Sequence, residues 1–272
     1  MNGYLCSRIL KENDMKTLSA ALLLRGSLFL CVLVSFVSCG SNSKNGDFPV
    51  MGKSVVFEVD VEELSGLCLN EDKTALLACG DQGVIKTISF EGEVSGVFEY
   101  DTDMEGMTID PSTGDIWVAV EGKQAVCMLA APEYKDWSTV FHVKEAVDGS
   151  YKNAGLEGIE YYKDDILFVG SQMNVNLWQY RMDGTPVSKI SLSDFASEVA
   201  GLCYDPVGDW LWVSDSNREE LYLATVEGKL LATYSLEGIK NAESVCVDRE
   251  RGCIWVGSDE NEPKLYRFEM SF

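Results

Sequence analysis

Catalytic side chains are scarce in this chain. It has one histidine, His142, which falls in the run Thr139-Val-Phe-His-Val, an alternation that places it on an outer strand as a surface or packed residue rather than a base. No nucleophile elbow, phosphate-binding loop or zinc motif occurs. The cysteines form neither a CxxC pair nor a Cys/His cluster, so nothing in their spacing points to zinc or dithiol chemistry. Basic residues are also few: 22 Lys and Arg stand against 44 Asp and Glu. That balance argues against nucleic acid as a partner and against docking on an anionic membrane through charge, and it suits a domain that attracts cations.

What is present begins with a leader. Lys16 and Arg25 precede an apolar run over 27–37, a basic start and a hydrophobic stretch of secretion-signal length, too short for a confident membrane span. Phe36-Val37-Ser38-Cys39-Gly40 resembles a bacterial lipobox, with Phe where Leu is usual. Cys39 is therefore expected to be lipidated and to become the first mature residue; an ordinary cleaved signal or an uncleaved anchor is the alternative. Met15-Lys16 opens a complete signal by itself, so the residues before it read as an upstream start. The expected organisation is a signal peptide over 1–38, lipidated Cys39 with a polar tether over 39–47, and one domain over 48–272. Beyond residue 38 the chain keeps 18 Lys and Arg against 42 Asp and Glu, a net charge of −24.

The domain is written as a repeat. Glu63-Leu-Ser-Gly-Leu, Asp103-Met-Glu-Gly-Met, Gly155-Leu-Glu-Gly-Ile, Glu198-Val-Ala-Gly-Leu and Asn241-Ala-Glu-Ser-Val share one beat. Their anchors at 66, 106, 158, 201 and 244 are separated by 40, 52, 43 and 43 residues, the period of stacked supersecondary units. Within a repeat, short β-rich runs alternate with turn residues, as in Trp210-Leu-Trp-Val-Ser, Asp215-Ser-Asn-Arg and Leu221-Tyr-Leu-Ala-Thr. Trp117, Trp212 and Trp255 recur at one second-strand position, where large side chains fill the space between neighbouring sheets. Cys68, Cys203 and Cys246 each stand two residues past an anchor, and equivalent places in different repeats read as small buried residues rather than bridges.

Four strands per repeat make a propeller blade. The fifth repeat has three strands after its anchor, and Ser54-Val-Val-Phe-Glu-Val59 supplies a fourth. The fold expected is an all-β, five-bladed β-propeller closed by residues 54–60 pairing near 264–270, which leaves no free edge. Six blades is the alternative, should the long second interval over 131–154 hide a degenerate blade; Asp148-Gly-Ser-Tyr-Lys-Asn153 reads more simply as a loop.

The same beats, with Ser214-Asp215 and Leu265-Tyr-Arg-Phe268, resemble the SdiA-regulated (YjiK-like) family of exported propellers over roughly residues 55–270. The resemblance implies a propeller in the bacterial envelope with a calcium-type cation near its axis. Ser65 and Ala200 stand where other repeats carry Glu, so the acidic ring is incomplete.

In a propeller the innermost strands begin at one mouth of the axis, on the face that also carries the second-to-third strand loops. The strand starts bring Glu63, Asp103, Glu105, Glu157, Glu198 and Glu243, and the loops bring Asp81, Glu121, Asp215, Asp259 and Glu260. Like charges so gathered repel unless a cation joins them, and calcium accepts irregular oxygen shells. Glu105, Glu157 and Glu243, at the identical position, are the first metal candidates, and Glu63 and Glu198 the second. The alternative is a solvated acidic rim. The expectation for the whole is a monomeric lipoprotein of the cell envelope, at the outer membrane facing the periplasm or the cell surface. Its membrane contact is the lipid anchor, it binds calcium, and its acidic face meets a ligand or protein. A calcium-dependent hydrolase of lactones or phosphoesters is the alternative.

Overall fold

The computed structural model describes residues 48–146 and 155–272. The signal over 1–38, Cys39, the tether over 39–47 and the 147–154 part of the long interval lie outside the described residues.

Every regular element among the described residues is a strand. Blade 1 is β2 (Leu64–Leu69), β3 (Leu76–Gly80), β4 (Val84–Ile88) and β5 (Val94–Glu99); blade 2 is β6 (Met104–Ile109), β7 (Ile116–Val120), β8 (Ala125–Leu129) and β9 (Trp137–His142). Blade 3 is β10 (Leu156–Tyr161), β11 (Ile166–Ser171), β12 (Asn176–Arg181) and β13 (Pro186–Ser191). Blade 4 is β14 (Gly201–Asp205), β15 (Trp210–Asp215), β16 (Glu220–Thr225) and β17 (Leu230–Ser235). Blade 5 takes β18 (Ala242–Asp248), β19 (Cys253–Ser258) and β20 (Lys264–Ser271), and its outer strand is β1 (Val50–Glu58) from the other end of the domain.

The ring thus closes as the sequence led us to expect, over a longer span. β1 pairs with β20 from Val50 opposite Ser271 to Glu58 opposite Lys264, with a register shift between Met51 and Ser54. Tyr234 of the neighbouring blade fastens the start of this segment, its hydroxyl donating to the Pro49 carbonyl at 2.7 Å. Among the described residues there is no sixth sheet: β9 completes blade 2 before the long interval, and His142 stands exposed at its end.

The apolar residues form five clusters, one in each seam between blades. Blades 4 and 5 meet through Trp212, Leu223, Tyr234, Val245 and Ile254, and blades 5 and 1 through Trp255, Leu265, Leu67 and Ala78. The repeated tryptophans are packing residues: Trp117, Trp212 and Trp255 are 5%, 0% and 0% exposed. Burying a large aromatic side chain is worth about 2–3 kcal/mol, so each seam contributes in proportion to its wedges.

The anchor glycines mark where innermost strands crowd the axis. A Cβ on Gly106 would lie 2.2 Å from the Glu157 carbonyl oxygen, and one on Gly201 would lie 2.5 Å from that of Glu243. No side chain fits there without the blades moving apart.

Candidate metal centre

At the anchors of blades 1, 2, 3 and 5 the innermost strand carries a β-bulge. In blade 2 Met104 faces Val120 and Gly106 faces Ala119, which leaves Glu105 as the extra residue; in blade 5 Ala242 faces Ser258 and Ser244 faces Gly257, which leaves Glu243. Blade 3 inserts its extra residue between Leu156 and Ile159, where Glu157 stands, and blade 1 inserts Ser65. A bulge re-aims a side chain out of the sheet alternation. It is the local reason these glutamates leave the blade faces.

Strand starts and second-to-third loops do share one face. Asp103 Oδ2 accepts from the Gly122 amide at 2.9 Å, Gln82 donates to the Glu63 carboxylate, and Asn241 Nδ2 donates to the Asp259 carbonyl at 2.7 Å. On that face the acids fall into groups. Asp103, Glu105 and Glu121 each offer a carboxylate oxygen, all within 4.8 Å of one another. Glu121, 7% exposed, also accepts from the Gly155 amide at 2.9 Å and from the carboxyl of Glu157, itself 6% exposed. Glu63 pairs with Asp81, and Glu243 faces Asp259.

Burial and mutual repulsion set the charge state. Burial first, then the hydrogen bond and charge of Asp103, pushes Glu105 up to about 9. Burial, then Asp259 and Glu198, pushes Glu243 up to about 8. Glu157 is driven well above the carboxylate range by burial and then by Glu105, Glu121 and Glu243, and burial raises Glu121 as well. Asp81 rises to about 7 by burial and its bond to Glu63, while Glu63 is lowered by that same bond and by Gln82. Among the described residues none of these acids has an ion-pair partner, whereas the neighbouring loop acid Glu260 pairs with Lys264 at 3.1 Å.

Of the residues expected to hold a metal, Glu105 lies in the close triad and Glu157 touches it through Glu121. Glu243 acts on both through charge, and Glu63 is engaged with Asp81 and Gln82. Glu198, 1% exposed, is occupied with its loop: it accepts from Ser216 Oγ at 2.5 Å and from the Asn217 amide and Nδ2 at 2.7 and 2.5 Å. Asp103 shares the repeat position of Glu63 and Glu198, and Glu121 that of Asp81 and Asp259, but the repeat does not show which of these acids meet. The meeting of Asp103 and Glu121 with Glu105 happens inside one blade, because Met104 pairs with Val120 and so sets the residues on either side of that pair together.

The set can hold a hard cation. Oxygens on opposite sides of a calcium ion lie about 4.8 Å apart, twice the usual Ca–O distance of about 2.4 Å, so a triad within that span lies inside one coordination shell. The donors are all carboxylate oxygens, and neighbouring backbone carbonyls crowd the axis. Zinc, which favours nitrogen and sulfur in a closed tetrahedron, suits them less well.

Residues 171–271 match the sequence model of the SdiA-regulated family, and the resemblance carried by the repeat beats is shown over that stretch. No curated protein matches the chain. Among solved structures, a glutaminyl cyclase from Myxococcus xanthus superposes with a TM-score of 0.60 at 12% identity, covering 82% of this chain and 96% of its own. A gluconolactonase from Xanthomonas campestris superposes at 0.55 and 11% identity, covering 89% and 100%, and a chain of a nidogen/laminin complex at 0.53 and 15%, covering 78% and 86%. At such identities the likeness is one of fold.

Proposed function

We propose that this SdiA-regulated-type β-propeller is a calcium-binding, non-catalytic module that presents its acidic axial face to a ligand or protein, held in the bacterial envelope by lipidated Cys39. The observation that carries the reading is the grouping of Asp103, Glu105 and Glu121 within 4.8 Å, with buried Glu157 bonded to Glu121. Carboxylates this close are either protonated or neutralised by a cation, and the net charge of the domain concentrates cations around it. Asp103, Glu105 and Glu121 would hold the ion, with Glu157 behind them. The ion would supply positive charge that lets them ionise together and ties the blade 2 loop to the start of blade 3. Lipid attachment rests on the lipobox-like Phe36–Gly40 stretch; two or three acyl chains make such an anchor durable, whereas one does not.

The decisive measurement is calcium titration of the chelator-treated protein by calorimetry and by thermal melting. Binding of one ion with a rise in melting temperature is expected, and no shift up to about the millimolar range of extracellular sites discards the reading.

One observation favours a second reading, a calcium-dependent hydrolase of lactones or phosphoesters. A carboxyl pushed up to about 9, such as Glu105, is protonated at neutral pH and can serve as a general acid. The two readings part on a panel of chromogenic esters, lactones and phosphoesters assayed with calcium, against a Glu157→Ala variant. Turnover that needs both calcium and Glu157 selects the hydrolase; a silent panel selects the binding module.

A further inference from the structure

One repeat position has a chemistry that the acidic mouth does not use. Two residues past the anchors stand Cys68, Thr108, Glu160, Cys203 and Cys246. An innermost strand has no β-partner on its axial side, so its outward N–H groups need other acceptors. This position supplies them across the seam to the next blade. Thr108 Oγ1 accepts from the Tyr161 amide at 3.1 Å, Glu160 accepts from the Tyr204 amide, and Cys203 Sγ accepts from the Val247 amide at 3.3 Å.

In the seam between blades 4 and 5 that arrangement joins two thiols. Cys203 Sγ accepts from the amide that directly follows Cys246, which sets the two cysteines beside each other across the seam. Along the chain, equivalent places in different repeats look independent. In a closed ring the same equivalence makes them neighbours. Cys68 completes a group of three thiols near the axis, but it acts on the other two only through charge.

We propose that Cys203 and Cys246 are a disulfide-forming pair that staples the innermost strands of blades 4 and 5. The oxidant is a small disulfide of the type RSSR. The Cys203 thiolate, on the more exposed of the two residues at 8% against 3%, attacks one sulfur of RSSR, forms a mixed disulfide and releases RS⁻. The Cys246 thiolate then attacks the Cys203 sulfur, closes the bridge and releases the second RS⁻. The two protons pass to the two released thiolates, so the protein loses two electrons that RSSR gains. Hydrogen bonding to Cys246 and burial hold the Cys203 thiol well above its ordinary value, so the step is fastest before the seam closes, during folding.

The test is refolding of the full chain in a glutathione redox buffer, alongside treatment of the folded chain with diamide, each followed by alkylation, trypsin and mass spectrometry. Cleavage at Lys189, Arg218, Lys240 and Arg249 gives peptides 190–218 and 241–249. The expected result is a joined species two hydrogens lighter than their sum, separated by dithiothreitol, absent in Cys246→Ser and retained in Cys68→Ser. Separate, alkylated peptides under both treatments overturn the proposal, and so does a link from either cysteine to Cys68.

Discussion

The carboxyl of Glu157 donates a hydrogen bond to the carboxylate of Glu121 across the seam between blades 2 and 3. Such a bond needs a proton that two acids in water would not keep at neutral pH, and it makes the metal-free protein sensitive to alkali. Groups whose folded pKa is raised bind more protons in the native state than in the unfolded one. Their contribution is therefore favourable at low pH and is lost as pH rises from the ordinary carboxylate range through the folded values. Here those values are about 7 for Asp81, about 8 for Glu243 and about 9 for Glu105. With chelator present, the melting temperature should fall between pH 5.5 and pH 9, by about 2–4 °C for each kcal/mol lost. With calcium the trend should reverse over the same range, because the ion binds the ionised ligands. Melts recorded at several pH values in both conditions check the crossing; parallel curves would remove the metal from the account.

Glu157→Gln separates repulsion from ligation. The amide keeps the size and can still donate to Glu121, while the charge that opposes Glu105, Glu121 and Glu243 is removed. Above pH 8 the variant without metal should be more stable than the parent, by on the order of 1 kcal/mol. Its calcium-induced shift should be smaller, since the ion has less repulsion to relieve. A variant less stable without metal and unchanged in its calcium response would show that Glu157 is a packing residue.

The blade count and the closure were legible in the sequence because both follow from periodicity: five anchors, four runs per repeat, and a spare strand over 54–59 matching the gap after β20. The acidic face was legible for the same reason. The grouping on that face was not. A repeat pattern ranks residues by equivalent position and so favours Glu105, Glu157 and Glu243, one per blade. The closest contacts instead join Asp103, Glu105 and Glu121 within blade 2, through the pairing of β6 with β7. Nor could the pattern show that Glu198 spends its oxygens on Ser216 and Asn217, because that depends on the path of one loop. The placement of Cys203 beside Cys246 was hidden by the same habit of reading equivalent positions as distant ones.

Gly106→Ala tests the crowding at the axis. The added methyl would sit 2.2 Å from the Glu157 carbonyl oxygen and 3.0 Å from the Ile159 amide nitrogen, both backbone atoms that cannot rotate away. Blades 2 and 3 must then separate, at a cost of about 1–3 kcal/mol, and the triad beside Gly106 should spread with them. The variant should melt lower and bind calcium more weakly. Gly238→Ala, where no atom lies within 4 Å of the added methyl although φ is +86°, should lose stability from backbone strain alone and keep its calcium affinity.

Arg249 tests a different junction, where charge is buried rather than gathered. Asp205 at the end of β14 is fully buried, and its ion-pair partner among the described residues is Arg249, which follows β18 in the next blade. The guanidinium Nε reaches both carboxylate oxygens at 3.0 and 2.9 Å, and the group stacks over Phe272 at 3.8 Å. Val207 N adds one longer bond of 3.2 Å to Asp205. Arg249→Met keeps much of the volume and strands the carboxylate, which should cost about 3–5 kcal/mol at neutral pH. Adding Asp205→Asn should restore most of the stability at neutral pH by removing the charge that Arg249 balanced. Urea denaturation of the parent, the single variant and the double variant at pH 7 makes the comparison. If the double variant is as unstable as Arg249→Met, contact of the guanidinium with the Trp210 ring of blade 4, 5.6 Å from its centroid, rather than the ion pair holds blades 4 and 5 together at this point.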